Sequence, residues 1–274
     1  MRSDTALAKF DGLEADQHRL PAIEAGEALT GLGRSLVIIS NYLVEGRVRV
    51  RAPYIELSHV YLSPLRTGSV DAVFNISFNT EAIAQAGVWV GMAVTSGLIG
   101  NAAYDLIKST FRRGVGQPSE IQDPNLKAFV ENRTGDLDAL VDAIEPALKQ
   151  AHRPISIGAL TININHGQNQ IVQLDPNTKR YVETNVKVPD SEVIQVSTAS
   201  YNANSRYGRV FDYSLGRTVS FTIVRDADEE TLTVVVSSLQ EYAISRSGKF
   251  NATVKKTKAI DGRDRHYSLL VARW

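Results

Sequence analysis

The sequence predicts an α+β chain in two parts, and three observations predict it. Apolar and polar residues alternate with a period of two before residue 80 and again after residue 155. Helical spacings fill residues 21–42 and much of 80–150. Between these lies Ala82–Tyr104, a run of 23 residues without a charge in a chain of which 22% is charged. A length of 274 residues is enough for two hydrophobic cores. The expected layout has an α+β assembly domain over 1–117, a sandwich-like unit of order β-α-β-β-α with a long, apolar, Gly-rich helix. A short helical linker follows over 118–153. A small β-barrel, SH3-like or OB-like with an inserted helix, then occupies 154–274.

Taken in order, residues 5–13 read as a strand that stops at Asp11-Gly12. Pro21 suits a first helical turn, and Ile23, Leu29, Leu32, Leu36 and Ile39 repeat at helical spacing as far as Tyr42, with Gly46 as the stop. Gly26, Gly31 and Gly33 weaken that helix intrinsically and point to close approach by another element. EGRVRVRAP alternates strictly, which predicts a strand with Arg47, Arg49 and Arg51 on one side. Two more strands are expected at 55–62 and 69–78, the second with Val70, Ala72, Phe74, Ile76 and Phe78 on one face. The uncharged run then predicts a helix from Thr80 to Phe111, with Lys108, Arg112 and Arg113 at its C-terminal end, where cations suit the helix dipole.

Gly114–Pro118 reads as a hinge. Leu126 and Phe129, then Leu137, Leu140, Val141, Ile144 and Leu148, predict one or two amphipathic helices, the second started at Asp136 and kinked or shortened by Pro146. From Ile155 the period is two again, turning at His166-Gly167, and Asp175-Pro176 starts a short helix. Strands are expected at 193–199, 208–211 and 217–224. A helix over 229–246 is capped by Asp226 and Asp228, although Thr231–Val236 favours a strand by propensity. The last two strands, 249–258 and 265–273, flank Asp261-Gly262, a hairpin turn signal.

Composition excludes several chemistries. With no cysteine there is no thiol catalysis, disulfide scaffold or thiolate metal site, and a reducing, cytoplasmic setting is expected. The five histidines stand at 18, 59, 152, 166 and 266, none with a second ligand at metal spacing, so no metal and no cofactor is expected. Gly-x-Ser-x-Gly is missing, and GEALTGLGRS lacks the Gly-Lys-Ser/Thr of a phosphate loop. Catalytic residues are not expected, and the chain reads as a non-enzyme. Net charge is zero, from 30 acidic and 30 basic residues, but the last 29 residues carry 8 bases and 2 acids.

Three features remain as candidate binding elements. The stripe of Arg47, Arg49 and Arg51 has a spacing of about 7 Å, close to that of successive phosphates, and equally suits a solvated sheet edge. SYNANSRYGRVFDY interleaves Tyr201, Asn202, Asn204, Arg206, Tyr207 and Arg209, aromatics for stacking with arginines for phosphates, extendable by Lys249, Lys255, Lys256, Lys258, Arg263 and Arg265. The same pattern also suits barrel filling with a polar turn. In the uncharged run, Gly87, Trp89, Gly91, Gly97 and Gly100 allow close helix packing, within a core, between copies, or in a membrane. The resulting expectation is a self-associating binding or adaptor protein, a homo-oligomer whose barrel takes a nucleotide, a single-stranded nucleic acid or a protein. The alternative is a membrane-associated effector of the bacterial toxin or immunity type that inserts 82–104 at a membrane surface.

Overall fold

The computed structural model describes residues 2–49, 55–63, 70–79, 99–131, 135–245 and 247–274. Two compact units result, one of residues 1–133 and 140–183, the other of 134–139 and 184–274. Among the described residues each carries one five-stranded sheet, and together they hold six α-helices.

The first sheet has the order β2-β3-β1-β4-β5 and is antiparallel throughout. Its strands are β1 (Arg2–Asp11), β2 (Ser58–Leu62), β3 (Asp71–Phe78), β4 (Thr161–His166) and β5 (Asn169–Leu174). The period-two pattern predicts which face is buried. Ala6, Ala8 and Phe10 of β1, Ala72, Phe74, Ile76 and Phe78 of β3, and Ile162 and Ile164 of β4 are all buried. Helix α1 (Ala22–Glu45) packs on β2 and β3. Helix α2 (Ile99–Gly114) packs on β5 and on α1. Gly46 stops α1 in the left-handed conformation, φ 65°, its N–H bonded to the Tyr42 carbonyl at 2.8 Å. The close approach expected at the α1 glycines is real at Gly31, where a Cβ would lie 2.3 Å from the Ala147 carbonyl oxygen and 2.6 Å from the Ala151 nitrogen.

Those two partners belong to α4 (Asp136–Ala151), and they overturn the expectation of a linker over 118–153. Leu140, Val141, Ile144, Ala147 and Leu148 of α4 are buried, as is Leu126 of α3 (Pro124–Glu131), so these helices are part of the first core. Pro146 neither ends nor shortens α4. The hinge expected at 114–118 is a packed turn: Val115 is buried and a Cβ on Gly116, at φ +77°, would meet the Tyr181 ring at 2.5 Å.

The boundary expected at 153/154 moves to 183/184. Local alternation identified β4 and β5 as strands, but the β4 backbone completes its bonding on β1, with Ala8 opposite Ile164 and Phe10 opposite Ile162. Residues 155–159 form turns, with Ser156 at φ 68°, instead of the start of a strand. Helix α5 (Pro176–Glu183) closes the unit, its first turn capped reciprocally by Asp175 and Thr178 at 2.7 and 2.9 Å. The strand expected after Gly46 is also corrected. Residues 46–49 are not a strand, because the left-handed Gly46 turns the chain and Arg49 folds back on Glu45 at 2.5 and 2.7 Å.

In the second unit, β6 (Val186–Asn202), β7 (Tyr207–Asp212), β8 (Arg217–Ile223), β9 (Phe250–Lys258) and β10 (Asp264–Arg273) close into a ring of order β10-β8-β7-β6-β9. Length makes the closure possible. The 17 residues of β6 pair with β9 from Val186 to Val196 and with β7 from Val196 to Asn202, bent by irregularities in both ladders. Parallel pairing of β8 with β10 completes the ring. Phe221, Phe250, Tyr267, Val196, Val219 and Leu269 fill it, with Val234 and Val235 of α6 (Glu229–Ser245). That helix forms despite its β-branched run because Asp228 accepts the Thr231 N–H at 2.8 Å and burial fixes its inner face. Among the described residues no helix is long and apolar enough to cross a membrane. Residues 82–98 of the uncharged run lie outside the described residues.

Candidate functional site

Alternation on the ring strands separates core from surface. With Val210, Val219, Phe221 and Tyr267 inside, the residues between them point outward: Tyr207 and Arg209 on β7, Ser220 and Thr222 on β8, His266 and Ser268 on β10. Register lines them up. Tyr207 lies opposite Thr222, Thr222 opposite Ser268, and Ser268 opposite Lys255 on β9. The adjacent row runs Arg209, Ser220, His266 and Thr257. At about 4.8 Å per strand, each row is about 14 Å wide.

Two rings lie on this surface. The Tyr207 and His266 rings are stacked, with centroids 6.2 Å apart and planes 11° from parallel, and Tyr207 is 46% exposed. His266 is fixed by Ser220, whose hydroxyl donates to the Arg265 carbonyl at 3.0 Å and, its one proton used, accepts from His266 Nδ1 at 2.9 Å. That assigns the proton to Nδ1 and leaves Nε2 as an acceptor. Burial lowers the His266 pKa from its ordinary value, so the ring is neutral at neutral pH. A neutral, oriented imidazole beside an exposed phenol has the ring chemistry on which a planar group can stack.

The arginines of the same stretch have other work. Arg209 donates to the Thr218 hydroxyl at 3.2 and 3.3 Å and to the Thr218 carbonyl at 3.1 Å, and burial lowers its pKa. Arg206, at φ 53°, donates to the Val224 and Arg225 carbonyls, both at 3.0 Å. Asn202 folds its side-chain oxygen back on the Asn204 and Ser205 N–H groups at 3.0 and 3.3 Å, forming the polar turn before β7. Asn204 is exposed in that turn. Tyr201 packs on the ring core, stacked on Phe221 at 6.2 Å. Of the six expected ligand residues, Tyr207 and Arg209 therefore share the outer face, while Tyr201 supports the core and the others build the loop.

The basic extension is mostly consumed as well. Lys249 sits 4.2 Å from the centre of the Tyr213 ring. Lys256 pairs with Glu192 at 3.0 Å and Asp264 at 3.3 Å, and Lys258 with Asp264 at 3.6 Å. Arg265 donates to the Thr184 carbonyl and the Asn185 side chain. Arg263 is also engaged. Lys255 is exposed and has no partner among the described residues. Of the first-unit stripe, Arg47 and Arg49 both pair with the single carboxylate of Glu45, and Arg51 lies outside the described residues. Gly100 falls in the first turn of α2, whereas Gly87, Trp89, Gly91 and Gly97 lie outside them.

Two titratable clusters are elsewhere. Inside the ring, the Tyr267 hydroxyl lies 2.8 Å from Asp212 Oδ2 and 3.0 Å from Asp264 Oδ2, and burial with those two charges raises its pKa strongly. Asp212, Asp264 and Tyr267 are all buried, so this cluster satisfies its polar groups within the ring interior. In the first unit His166 Nε2 bonds Asp4, with the Tyr104 ring 5.1 Å from the imidazole and Lys108 over that ring. Among the described residues no group of three or more acidic or histidine side chains gathers to hold a metal.

Comparison with known proteins divides the chain at the same place as the structure does. Residues 6–183, more than half of the chain, match the family described as Domain of unknown function (DUF7946). The chain belongs to this family. The DUF7946 match ends at Glu183, the last residue of α5, and residues 190–266 match a second description, Family of unknown function (DUF7947), whose span covers most of the ring. No curated protein and no solved structure matches the chain.

What the sequence did not offer is the placement of His266, Ser220, Thr222 and Ser268 beside Tyr207. The signal existed as alternation in β8 and β10, but which strands are neighbours depends on a parallel pairing between segments far apart in the chain.

Proposed function

We propose that the C-terminal ring is an OB-type module for single-stranded nucleic acid and that the first unit serves self-association. Five strands closed in Greek-key order support the OB reading. Numbered within the ring, the third pairs in parallel with the fifth, and a helix lies between the third and the fourth. In such folds, ligands lie on the face of the second and third strands, here β7 and β8. The single observation that carries the proposal is the stack of exposed Tyr207 on half-buried His266 on that face, because every base has a π-surface that such a platform can hold. Self-association rests on the uncharged, small-residue run 82–104.

Fluorescence anisotropy of the full chain with labelled 15-nucleotide single-stranded DNA and RNA, against the duplex of the same sequence, tests the first part. Binding of a single strand, weak or lost on the duplex, is expected. Equal binding of the duplex, or of neither, would refute it. Light scattering tests the second part, for which a strictly monomeric protein is the refuting result.

A further inference from the structure

We infer that this site grips the bases of a short single strand and leaves most of its phosphates in solvent. The inference rests on the nucleic-acid reading above and adds which part of the ligand is recognised. A site that tracks the backbone needs several unpaired cations in a row. Here Arg206 is bonded to two carbonyls, Arg209 to Thr218, and Lys256 to Glu192 and Asp264. Among the described residues of the two rows that leaves Lys255, opposite Ser268 on the far side of the row that begins at Tyr207, and exposed Lys187, opposite Thr257 at the far end of the His266 row.

The chemistry between the two ends suits base edges. A base stacked on Tyr207 meets the Thr222 and Ser268 hydroxyls, each able to donate and accept, along one row, and the Nε2 acceptor of His266 in the next. The row of about 14 Å exceeds one ring, so the platform takes a short run of bases with a phosphate at the Lys255 edge. Hydroxyls that both donate and accept do not choose strongly between bases, so recognition is of unstacked bases as a class and modest in sequence preference.

The experiment compares labelled dT15 with a 15-residue abasic strand of the same charge, on the full chain, over 50–500 mM NaCl. Affinity for dT15 with at least a tenfold loss on the abasic strand is expected. The slope of log affinity against log salt should be about −0.7 to −1.4, one or two phosphates at about 0.7 each. Tyr207→Ala should weaken dT15 binding about 5- to 150-fold, the range for one stacked base, and Tyr207→Phe should restore it, which separates lost stacking from misfolding. Lys255→Gln should flatten the slope by about 0.7. Binding of the abasic strand as tightly as dT15, with a slope corresponding to four or more phosphates, overturns base recognition while leaving the nucleic-acid reading standing. No binding of either strand overturns both.

Discussion

Replacing His152 by Gln should flatten the acid limb of the stability curve. His152 directly follows α4 and is fully buried, with Nδ1 2.7 Å from the Leu148 carbonyl oxygen and Nε2 3.0 Å from the Thr178 hydroxyl of α5. Burial lowers its pKa from 6.5 to about 4, helped by Lys179 and opposed by the Leu148 carbonyl and Asp175. The folded value therefore lies below the unfolded one. Above about pH 6.5 both states carry a neutral imidazole and the stability is fully present. As pH falls toward 4 the unfolded chain takes up a proton that the native state refuses, and stability is lost. At about 1.4 kcal/mol per pH unit, the span from 6.5 to about 4 amounts to about 3 kcal/mol. Gln has an amide that can bond both partners and does not titrate. Urea unfolding of the first unit at pH 7.5, 6, 5 and 4 measures the effect, and carboxylates that also protonate in this range contribute equally to both proteins. The wild type should lose about 3 kcal/mol more than His152→Gln between pH 7.5 and 4. Parallel curves for the two proteins would refute the assignment of a buried neutral histidine.

Three further substitutions probe the packing that positions the site. Gly208→Ala should destabilise the ring by about 1–3 kcal/mol or more in chemical denaturation, since a Cβ there would lie 2.2 Å from the Ser200 carbonyl oxygen and 2.6 Å from the Phe221 ring. Tyr267→Phe should cost about 1–3 kcal/mol by removing the donor that faces Asp212 and Asp264, and a thermal melt of the ring unchanged from wild type would contradict that. Gly31→Ala gains helix propensity, about 1 kcal/mol, but forces a methyl into the α4 backbone. A net loss of stability is expected, and a net gain would show that the α1–α4 approach is looser than 2.3 Å requires.

Local chemistry made much of this fold legible. The alternation of Ala72, Phe74, Ile76 and Phe78 marks β3 and its inner face, and Gly262, at φ +88°, turns the last hairpin where Asp261-Gly262 signalled it. The helix at 229–245 followed from its cap even against the propensity of Thr231–Val236. Partner choice was not legible, since a period of two states that a segment is a strand but not which neighbour completes its hydrogen bonds. Thus β4 and β5 were assigned to the wrong core, although each was seen as a strand. The arginine alternation after Gly46 misled for a related reason. Spacing placed Arg47 and Arg49 on a common face, but one left-handed glycine and the single carboxylate of Glu45 fix their conformation. At the candidate site the sequence offered Tyr207, whose ring is exposed on the outer face, as an aromatic for stacking. It overcounted the free cations, because the carbonyls and carboxylates that occupy Arg206, Arg209 and Lys256 come from other strands.

The most direct test of the proposed nucleic-acid face is photocrosslinking of the full chain to a single-stranded oligonucleotide carrying 5-iodouracil, with the adducts mapped by mass spectrometry. Adducts on Tyr207 and His266, lost in competition with unlabelled single strand but not with duplex, are the predicted result. Adducts confined to residues 1–183, or spread over the ring without those two, would contradict it.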